Sequence, residues 1–231
     1  DLVLLAVPVA ATESTFRAVR HGIGAETLVM DVGSTKSDVI EAAMQSLEGK
    51  LKCFVPAHPI AGKEVAGIEH ADADLFTGRQ VVLTPIKATL RSNVQRAAQV
   101  WTSLGARVSQ MTHQAHDSAF AAVSHLPHLL AFAYMNGIAS QPEGDTFLEL
   151  GGPGFRDFTR IAAGEPTLWR DVLLANRDQV LRQSQHFRQA LDELETMMRT
   201  GNVTDLEQAI TQASQVRGEW RLDSATGSPD A

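Results

Sequence analysis

His58 is the side chain of this sequence best suited to proton transfer, and it lies in the segment Pro56-Ala57-His58-Pro59. An imidazole has a reference pKa of about 6.5, so it can take or give a proton at neutral pH. The proline that follows favours an extended conformation at His58 and thereby fixes the direction of the ring. For this segment alone, a loop histidine without a chemical role is the alternative interpretation.

A second segment that could take part in catalysis or binding runs from Met30 to Asp38. It places Gly33 and Ser34 between an apolar run and a predicted helix. Helix N-termini bind anions and polar ligands through unpaired N–H groups. A phosphate loop is not indicated, because Asp31 stands where such a loop needs glycine. The alternative is a plain helix cap made by Ser34 or its neighbour. Because Ser34 and His58 both follow predicted strands, we expect them to meet at the carboxyl edge of one sheet.

Four histidines form two pairs with i, i+3 spacing, which at first suggests a zinc site: His113, His116, His125 and His128. In a regular α-helix of about 100° per residue, however, His116 and His125 fall on opposite faces. We therefore expect no metal, and favour a structural role or contact with a polar substrate. Pro127 predicts a helix bend of the kind that borders a pocket.

Arginines follow the glycine-rich segment Gly151–Gly154, and Arg156 and Arg160 are spaced one helical turn apart. Paired guanidinium groups can bind a dicarboxylate in a bidentate manner. Surface ion pairs with neighbouring acidic side chains are the alternative. Trp169, by its pattern alone, is more typical of a core position than of a ligand contact.

The elements that must position these residues are predicted from hydrophobic periodicity. Up to Met111, short apolar runs alternate with amphipathic stretches, which predicts a parallel sheet covered on both faces. The predicted strands are Leu2–Val7, Thr27–Val32, Lys52–Pro56, Gln80–Thr84 and Ala106–Met111, and the predicted helices are Ala11–His21, Lys36–Leu47 and Thr89–Leu104. The uninterrupted apolar run of Leu2–Val7 predicts a central strand.

Beyond Met111 only helical patterns remain: His113–Ile138, Phe155–Ala163, Thr167–Ala175, Arg177–Thr200 and Thr204–Arg217. We therefore predict an α/β domain over residues 1–111, a helical domain over 112–217 and a disordered tail over 218–231. The stretch Ala119–Ile138 is apolar on most sides and needs cover, which predicts a homodimer.

Composition excludes several classes of protein. The 231 residues carry 20 basic and 27 acidic side chains, and a net charge of −7 argues against nucleic-acid or anionic-membrane partners. No apolar run approaches the roughly 20 residues that span a bilayer. A single cysteine, Cys53, excludes an internal disulfide and is typical of a reducing compartment, so we expect a cytoplasmic protein.

Taken in order, these segments resemble the prephenate/arogenate dehydrogenase family of tyrosine biosynthesis. Each motif is weak alone, but together they are in register from Leu2 to about Trp169. The stretches that carry the resemblance are Asp31-Val32-Gly33-Ser34-Thr35-Lys36, His58-Pro59-Ile60-Ala61-Gly62-Lys63-Glu64, His116-Asp117 with Ser124-His125-Leu126-Pro127-His128, Gly154-Phe155-Arg156-Asp157-Phe158-Thr159-Arg160-Ile161-Ala162, and Trp169-Arg170-Asp171.

The resemblance implies an α/β plus all-α fold, with a partial Rossmann-like parallel sheet followed by a helical dimerisation domain. It implies NAD- or NADP-dependent oxidative decarboxylation of prephenate or arogenate. By this resemblance His58 takes the proton of the ring hydroxyl and Ser34 helps to hold that hydroxyl and the imidazole. The substrate contacts it implies are His128, Arg160, Lys63 and Trp169, although Lys63 stands where many relatives carry a small hydroxyl residue. The cofactor contacts are Val7, Pro8, Gly33 and Ser34.

One family feature is not found in the sequence. Relatives begin with a strand, a Gly-x-Gly-x-x-Gly turn and a helix, whereas Gly22-Ile23-Gly24 here lacks the third glycine and precedes a strand. We therefore expect a chain without the amino-terminal part of the nucleotide-binding unit. The alternatives are a non-catalytic truncated assembly module and another β-hydroxyacid-type dehydrogenase.

Overall fold

The computed structural model describes residues 1–62 and 67–221. Lys63, a predicted substrate contact, and residues 222–231, which make up most of the predicted tail, lie outside the described residues. The chain forms two compact units, Asp1–Val180 and a second one that begins at Leu181. The candidate site residues that the structure describes fall in the first unit.

The described part of the first unit contains two three-stranded sheets. In one sheet, β1 (Leu2–Leu5), β2 (Leu28–Asp31) and β3 (Phe54–Val55) are parallel. In the other, β5 (Gln80–Leu83) pairs in parallel with β6 (Arg107–Gln110) and antiparallel with β4 (Ala57–Pro59). The predicted parallel pairing is confirmed except at β4, which is too short to show a pattern of its own.

Strand β1 lies at an edge of its sheet, because among the described residues it pairs only with β2. Leu2 and Leu4 are 46% and 44% exposed, whereas Leu5 is buried. The strand predicted to be central thus has one unpaired edge among the described residues. An uninterrupted apolar run indicated burial on both faces, but alternate side chains of β1 remain open on one of them.

Two hydrophobic clusters cover the two faces of β2. Val29 packs with Phe16 of α1 (Thr12–Val19) and with residues of α2 (Ser37–Ser46). On the other face, Met30 packs with Trp101 of α3 (Arg91–Ser103). Burying each side chain of this size contributes roughly 1.5–3 kcal/mol. This packing anchors the carboxyl end of β2, where the candidate site begins.

The described residues after Gln110 contain helices and no strand, as predicted. These helices are α4 (His113–Phe120), α5 (Leu126–Ala139), α6 (Gly144–Glu149), α7 (Pro153–Thr159), α8 (Pro166–Ala175), α9 (Arg177–Thr200) and α10 (Val203–Glu219). A π-helical segment, Ala121–His125, joins α4 to α5. Pro127 is the second residue of α5, directly after this π-helical segment. No helix among the described residues is both long and apolar enough to span a bilayer.

Candidate active site

His58 is held in β4 with only 8% of its surface exposed. Its Nδ1 lies 2.8 Å from Nε2 of His116, and its ring packs 4.7 Å from the ring of Phe120. The other ring nitrogen, Nε2, makes no hydrogen bond to the described residues. His58 therefore has one nitrogen engaged within the protein and one available to a ligand.

The surroundings of His58 favour its neutral form. Burial lowers the pKa of the His58 imidazole well below 6.5, and the nearby Lys36 ammonium lowers it further. The negative charge of Asp117 acts in the opposite direction but is the weaker influence. A neutral imidazole at pH 7 can accept a proton, which is the chemistry expected of this residue from the sequence.

Asp117 links the helical part of this unit to the N-terminus of α2. Its carboxylate accepts the backbone N–H groups of Lys36 and Ser37, both at 2.9 Å, and Nδ1 of His116 lies 2.8 Å from its Oδ1. Burial alone raises the pKa of this carboxyl, but these hydrogen bonds lower it to about 2. The expected anion at this helix N-terminus is thus a side chain of the protein itself. Neither Ser34 nor its neighbour caps the helix, so that alternative is wrong.

A buried ion pair fixes the strand that carries His58. The ammonium of Lys36 contacts Asp31 and donates to the carbonyl of Ala57 at 2.9 Å. Oδ1 of Asp31 accepts the N–H of Ala57 at 3.0 Å, and Oδ2 accepts the N–H of Gly33 at 2.9 Å. Both members of the pair are buried. The backbone next to His58 is therefore bonded on both sides to the end of β2.

His125 is a second buried histidine, and Asn176 determines which of its ring nitrogens carries the proton. One amide hydrogen of Asn176 goes to the carbonyl of Asp117 at 2.8 Å, so Nδ2 is the atom that faces Nδ1 of His125 at 3.1 Å. Burial lowers the pKa of His125 to about 4, so the ring is neutral and its proton lies on Nε2. That Nε2 is buried without a hydrogen-bond partner in the structure.

The relation predicted between His116 and His125 assumed a regular α-helix, and that assumption is wrong. The segment between them, Ala121–His125, is π-helical and has wider turns, so helical spacing across it does not follow about 100° per residue. Among residues 1–62 and 67–221, no group of three or more histidine, cysteine or acidic side chains is arranged to hold a metal ion.

Two of the predicted substrate contacts lie together. The rings of His128 and Trp169 stack with centroids 3.5 Å apart and planes at 20°. Nδ1 of His128 lies 2.9 Å from the carbonyl oxygen of Ser124, which orients the imidazole. A Cβ at Gly164 would come within 2.5 Å of the Trp169 indole nitrogen, so a larger residue at this position would clash with the indole.

A cavity of about 670 Å³ lies beside this stack, between α5 and α8. Its lining is largely apolar and includes Phe132, Met135, Trp169 and Leu173. His58 is not among the lining residues, so this cavity is separate from the immediate surroundings of the candidate base.

The two arginines of the predicted pair lie in different surroundings, and their joint role stays a prediction. Arg156 is exposed and bonds to Asp157 at 3.2 Å, which is the surface alternative. Helix α7 ends at Thr159, and Arg160 begins a short 3-10 turn, Arg160–Ala163, so the regular helical spacing between the two arginines is broken.

The predicted cofactor contacts lie in loops at the carboxyl edge of the parallel sheet. Leu5 pairs with Asp31 in the register of β1 and β2, so the turn with Val7 and Pro8 lies beside the loop that contains Gly33. Asp31 also bonds to Ala57, which brings His58 to the same edge. This is where open α/β sheets bind dinucleotides.

The chain that follows β1 also contacts the helical part of this unit. The 3-10 turn Val9–Ala11, which follows Pro8, packs against α8, the helix that carries Trp169. Ser34 makes no side-chain hydrogen bond to the described residues, and the partner of the His58 ring is His116. The predicted role of Ser34 therefore stays a prediction, whereas the contact of His116 with His58 and the roles of Asp117 and Asn176 were not predicted.

A buried histidine beside the dinucleotide edge of a parallel sheet, next to a helical region that supplies further polar groups, fits a nicotinamide-dependent dehydrogenase. The family described as prephenate dehydrogenase, nucleotide-binding domain, matches residues 1–110. The one described as prephenate dehydrogenase, dimerization domain, matches residues 112–212. The chain belongs to the prephenate dehydrogenase family.

Individual relatives agree with this assignment. The cyclohexadienyl dehydrogenase of Zymomonas mobilis is 32% identical, over 96% of this chain and 76% of that protein. The prephenate dehydrogenase of Bacillus subtilis is 31% identical, over 93% of this chain and 58% of that protein. The chain thus spans about three quarters of one relative and less than two thirds of the other.

Solved structures show the same fold. Prephenate dehydrogenase from Aquifex aeolicus, in complex with hydroxyphenyl propionate and NAD⁺, matches with a TM-score of 0.88 and 34% identity, covering 95% of this chain and 76% of that one. Synechocystis arogenate dehydrogenase matches with a TM-score of 0.82 and 29% identity, covering 95% and 79%.

Proposed function

We propose that this protein oxidises prephenate or arogenate with NAD⁺ or NADP⁺ and releases CO₂, giving 4-hydroxyphenylpyruvate or tyrosine. The observation that carries the proposal is the buried, neutral His58, whose Nε2 makes no hydrogen bond to residues 1–62 or 67–221 and lies near the sheet edge where dinucleotides bind. Relatives named prephenate, cyclohexadienyl and arogenate dehydrogenase support the same reaction class.

The bound nicotinamide supplies the acceptor for the hydride. His58 Nε2 accepts a hydrogen bond from the ring hydroxyl of the substrate and takes its proton as the C–O bond gains carbonyl character. Aromatisation of the ring provides the driving force when CO₂ departs. The protein therefore needs mainly to position the reacting atoms and to polarise a single hydroxyl group.

Contacts along the rest of the substrate are proposed from the resemblance, with support from the geometry. His128 and Trp169 form a rigid stacked surface against which a planar or carbonyl-bearing group can lie. By the resemblance, Arg160 binds a carboxylate and Ser34 the ring hydroxyl in this proposal, and Lys63 is a further predicted contact. The backbone around Val7, Pro8 and Gly33 holds the cofactor in this proposal.

A homodimer formed by the helical domain over residues 112–217 is part of the proposal. Within the second unit, α9 and α10 leave large apolar side chains open, among them Leu181, Met198 and Val216 at 61–67% exposure. Open apolar surfaces of this kind are typical of interaction sites. The match of residues 112–212 to a dimerization domain supports this assignment. Sedimentation at micromolar concentration should find a dimer, and a monomer would contradict it.

The decisive experiment is an assay of NAD⁺ and NADP⁺ reduction with prephenate and with arogenate as separate substrates. We expect turnover with at least one substrate, accompanied by release of one CO₂ per reduced nicotinamide. Oxidation without CO₂ release, or no oxidation of either substrate, would overturn the proposal.

A further inference from the structure

We infer that His116 and Asp117 are positioning residues that keep the proton of His58 on Nδ1 and so leave Nε2 as the proton acceptor. The inference rests on the proposed role of His58 as the base, and it adds what makes that role possible. It begins from three buried side chains that are linked in a row by hydrogen bonds: Asp117, His116 and His58.

The first link is Asp117, whose position and charge are fixed. Its carboxylate accepts two backbone N–H groups of α2 in addition to the contact with His116. A carboxylate that accepts several N–H donors stays ionised, in agreement with its pKa of about 2. An ionised carboxylate has no hydrogen to donate, so the hydrogen between Asp117 and His116 lies on Nδ1 of His116.

The second link follows from the ring of His116. With Nδ1 protonated, a neutral imidazole has an unprotonated Nε2, which can only accept. This Nε2 lies 2.8 Å from Nδ1 of His58, so the hydrogen in that contact lies on His58. The neutral ring of His58 then has its lone pair on Nε2, the nitrogen that makes no hydrogen bond to the described residues.

The same arrangement supports His58 once it has accepted the proton. The resulting imidazolium donates from Nδ1 to His116, which is in turn oriented by the negative charge of Asp117. The substrate O–H bond breaks toward Nε2, its electron pair forms the C=O bond, and the hydride leaves carbon for the nicotinamide. When CO₂ departs, the released C–C electron pair aromatises the ring, and the oxygen recovers the proton from His58. No proton has to reach solvent, which suits a buried base.

The direct test is the tautomer of His58, read by nitrogen NMR on protein with ¹⁵N-labelled histidines in the absence of substrate. The His58 signals are assigned from their loss in His58→Gln among the 8 histidines. We expect Nδ1 of His58 to be protonated and Nε2 to be bare. A doubly protonated His116 would donate to His58 and place the proton on Nε2, and that pattern would overturn the inference.

Kinetics provide a second test on the active enzyme. In His116→Phe the Nδ1 proton of His58 loses its acceptor, so we expect kcat to fall at least 100-fold with KM nearly unchanged, in the range usual for loss of a general base. In His116→Gln the side-chain carbonyl can still accept that proton, so part of kcat should return. Equal kcat in the two variants, or wild-type kcat in His116→Phe, would contradict a tautomer-fixing role.

His21→Gln is the control, because His21 is exposed and bonds to Arg20, outside the contacts of His58, His116 and Asp117. It should keep wild-type kcat and the wild-type NMR pattern of His58. The NMR result does not depend on turnover. A protein with the expected tautomer but no activity toward either substrate would refute the proposed function and leave this inference standing.

Discussion

Oδ1 of Asp117 lies 2.9 Å from the backbone nitrogen of Lys36, although 81 positions separate the two residues in the chain. The contact joins the helix that follows the last strand to the helix that follows β2. It brings the buried His116, next to Asp117, against His58 in β4. The candidate base is therefore supported by groups from both regions that match the two family domains.

Replacing the base should abolish most turnover without preventing binding. For His58→Asn we expect kcat to fall by about 10²–10⁴, the usual contribution of general base catalysis, while the KM of the substrate stays near its original value. Steady-state kinetics with the better of the two substrates provides the measurement. His21→Asn, at an exposed histidine, is the control and should match the unmodified enzyme. Wild-type kcat in His58→Asn would remove the catalytic assignment.

The pH dependence of kcat/KM should reflect the lowered pKa of a buried base. Protonation of His58 inactivates the enzyme, and burial together with the Lys36 charge lowers the pKa of that imidazole. Activity should therefore persist below pH 6.5 and decline only on further acidification. An acid limb centred at or above pH 6.5 would show that the imidazole is not in the environment described for it.

Breaking the buried ion pair should cost more stability than breaking an exposed one. Lys36→Met leaves the buried Asp31 carboxylate uncompensated, which typically costs about 3–5 kcal/mol. Arg17→Met, which removes the exposed partner of Glu13, should cost at most about 1 kcal/mol. Urea unfolding of both variants makes the comparison. Equal losses would mean that the Lys36–Asp31 pair contributes nothing beyond a surface contact.

His125 should make the folded state sensitive to mild acid. Burial lowers its pKa from 6.5 to about 4. Between these two pH values the unfolded chain therefore binds a proton at this histidine and the folded protein does not. Stability is therefore lost as the pH falls from about 6.5 to 4, by an amount on the order of 2–3 kcal/mol.

Urea unfolding at a series of pH values tests this linkage. His125→Gln should show a smaller loss of stability than the unmodified protein over the same interval. Since His58 is also buried and neutral, its own contribution remains in both proteins and cancels in the comparison. Identical slopes for the two proteins would contradict the low pKa of His125.

The sequence was most informative where a pattern is local. The apolar run Thr27–Val32 predicted β2 to within a residue at each end, and α9 has the predicted bounds Arg177–Thr200. Periodicity could not show that the short segment Ala57–Pro59 pairs antiparallel. Nor could it show the π-helical segment, because five residues with wider turns have no sequence signature of their own.

The site was predictable only in part, for a related reason. His58, His128 and Trp169 stand in motifs that can be recognised, and the structure gives them defined surroundings. The roles of Asp117 and Asn176 depend on contacts across 59 to 81 positions, for which spacing carries no signal. The contact between His116 and Asp117 could have been predicted, because the two residues are neighbours in the sequence, can hydrogen-bond to each other and stand in a motif already noted for its histidines.

The π-helical segment Ala121–His125 has a practical consequence for reading related sequences. A π-helical segment absorbs one extra residue in its wider turns. If one residue were deleted there and the segment relaxed to regular α-helix, α5 with His128 would keep nearly its present direction relative to His116. Deletion of a residue from the α-helical part would instead turn everything after it by about 100°. A one-residue gap in a relative is therefore compatible with the same site when it falls in Ala121–His125, and not when it falls within α4 or α5.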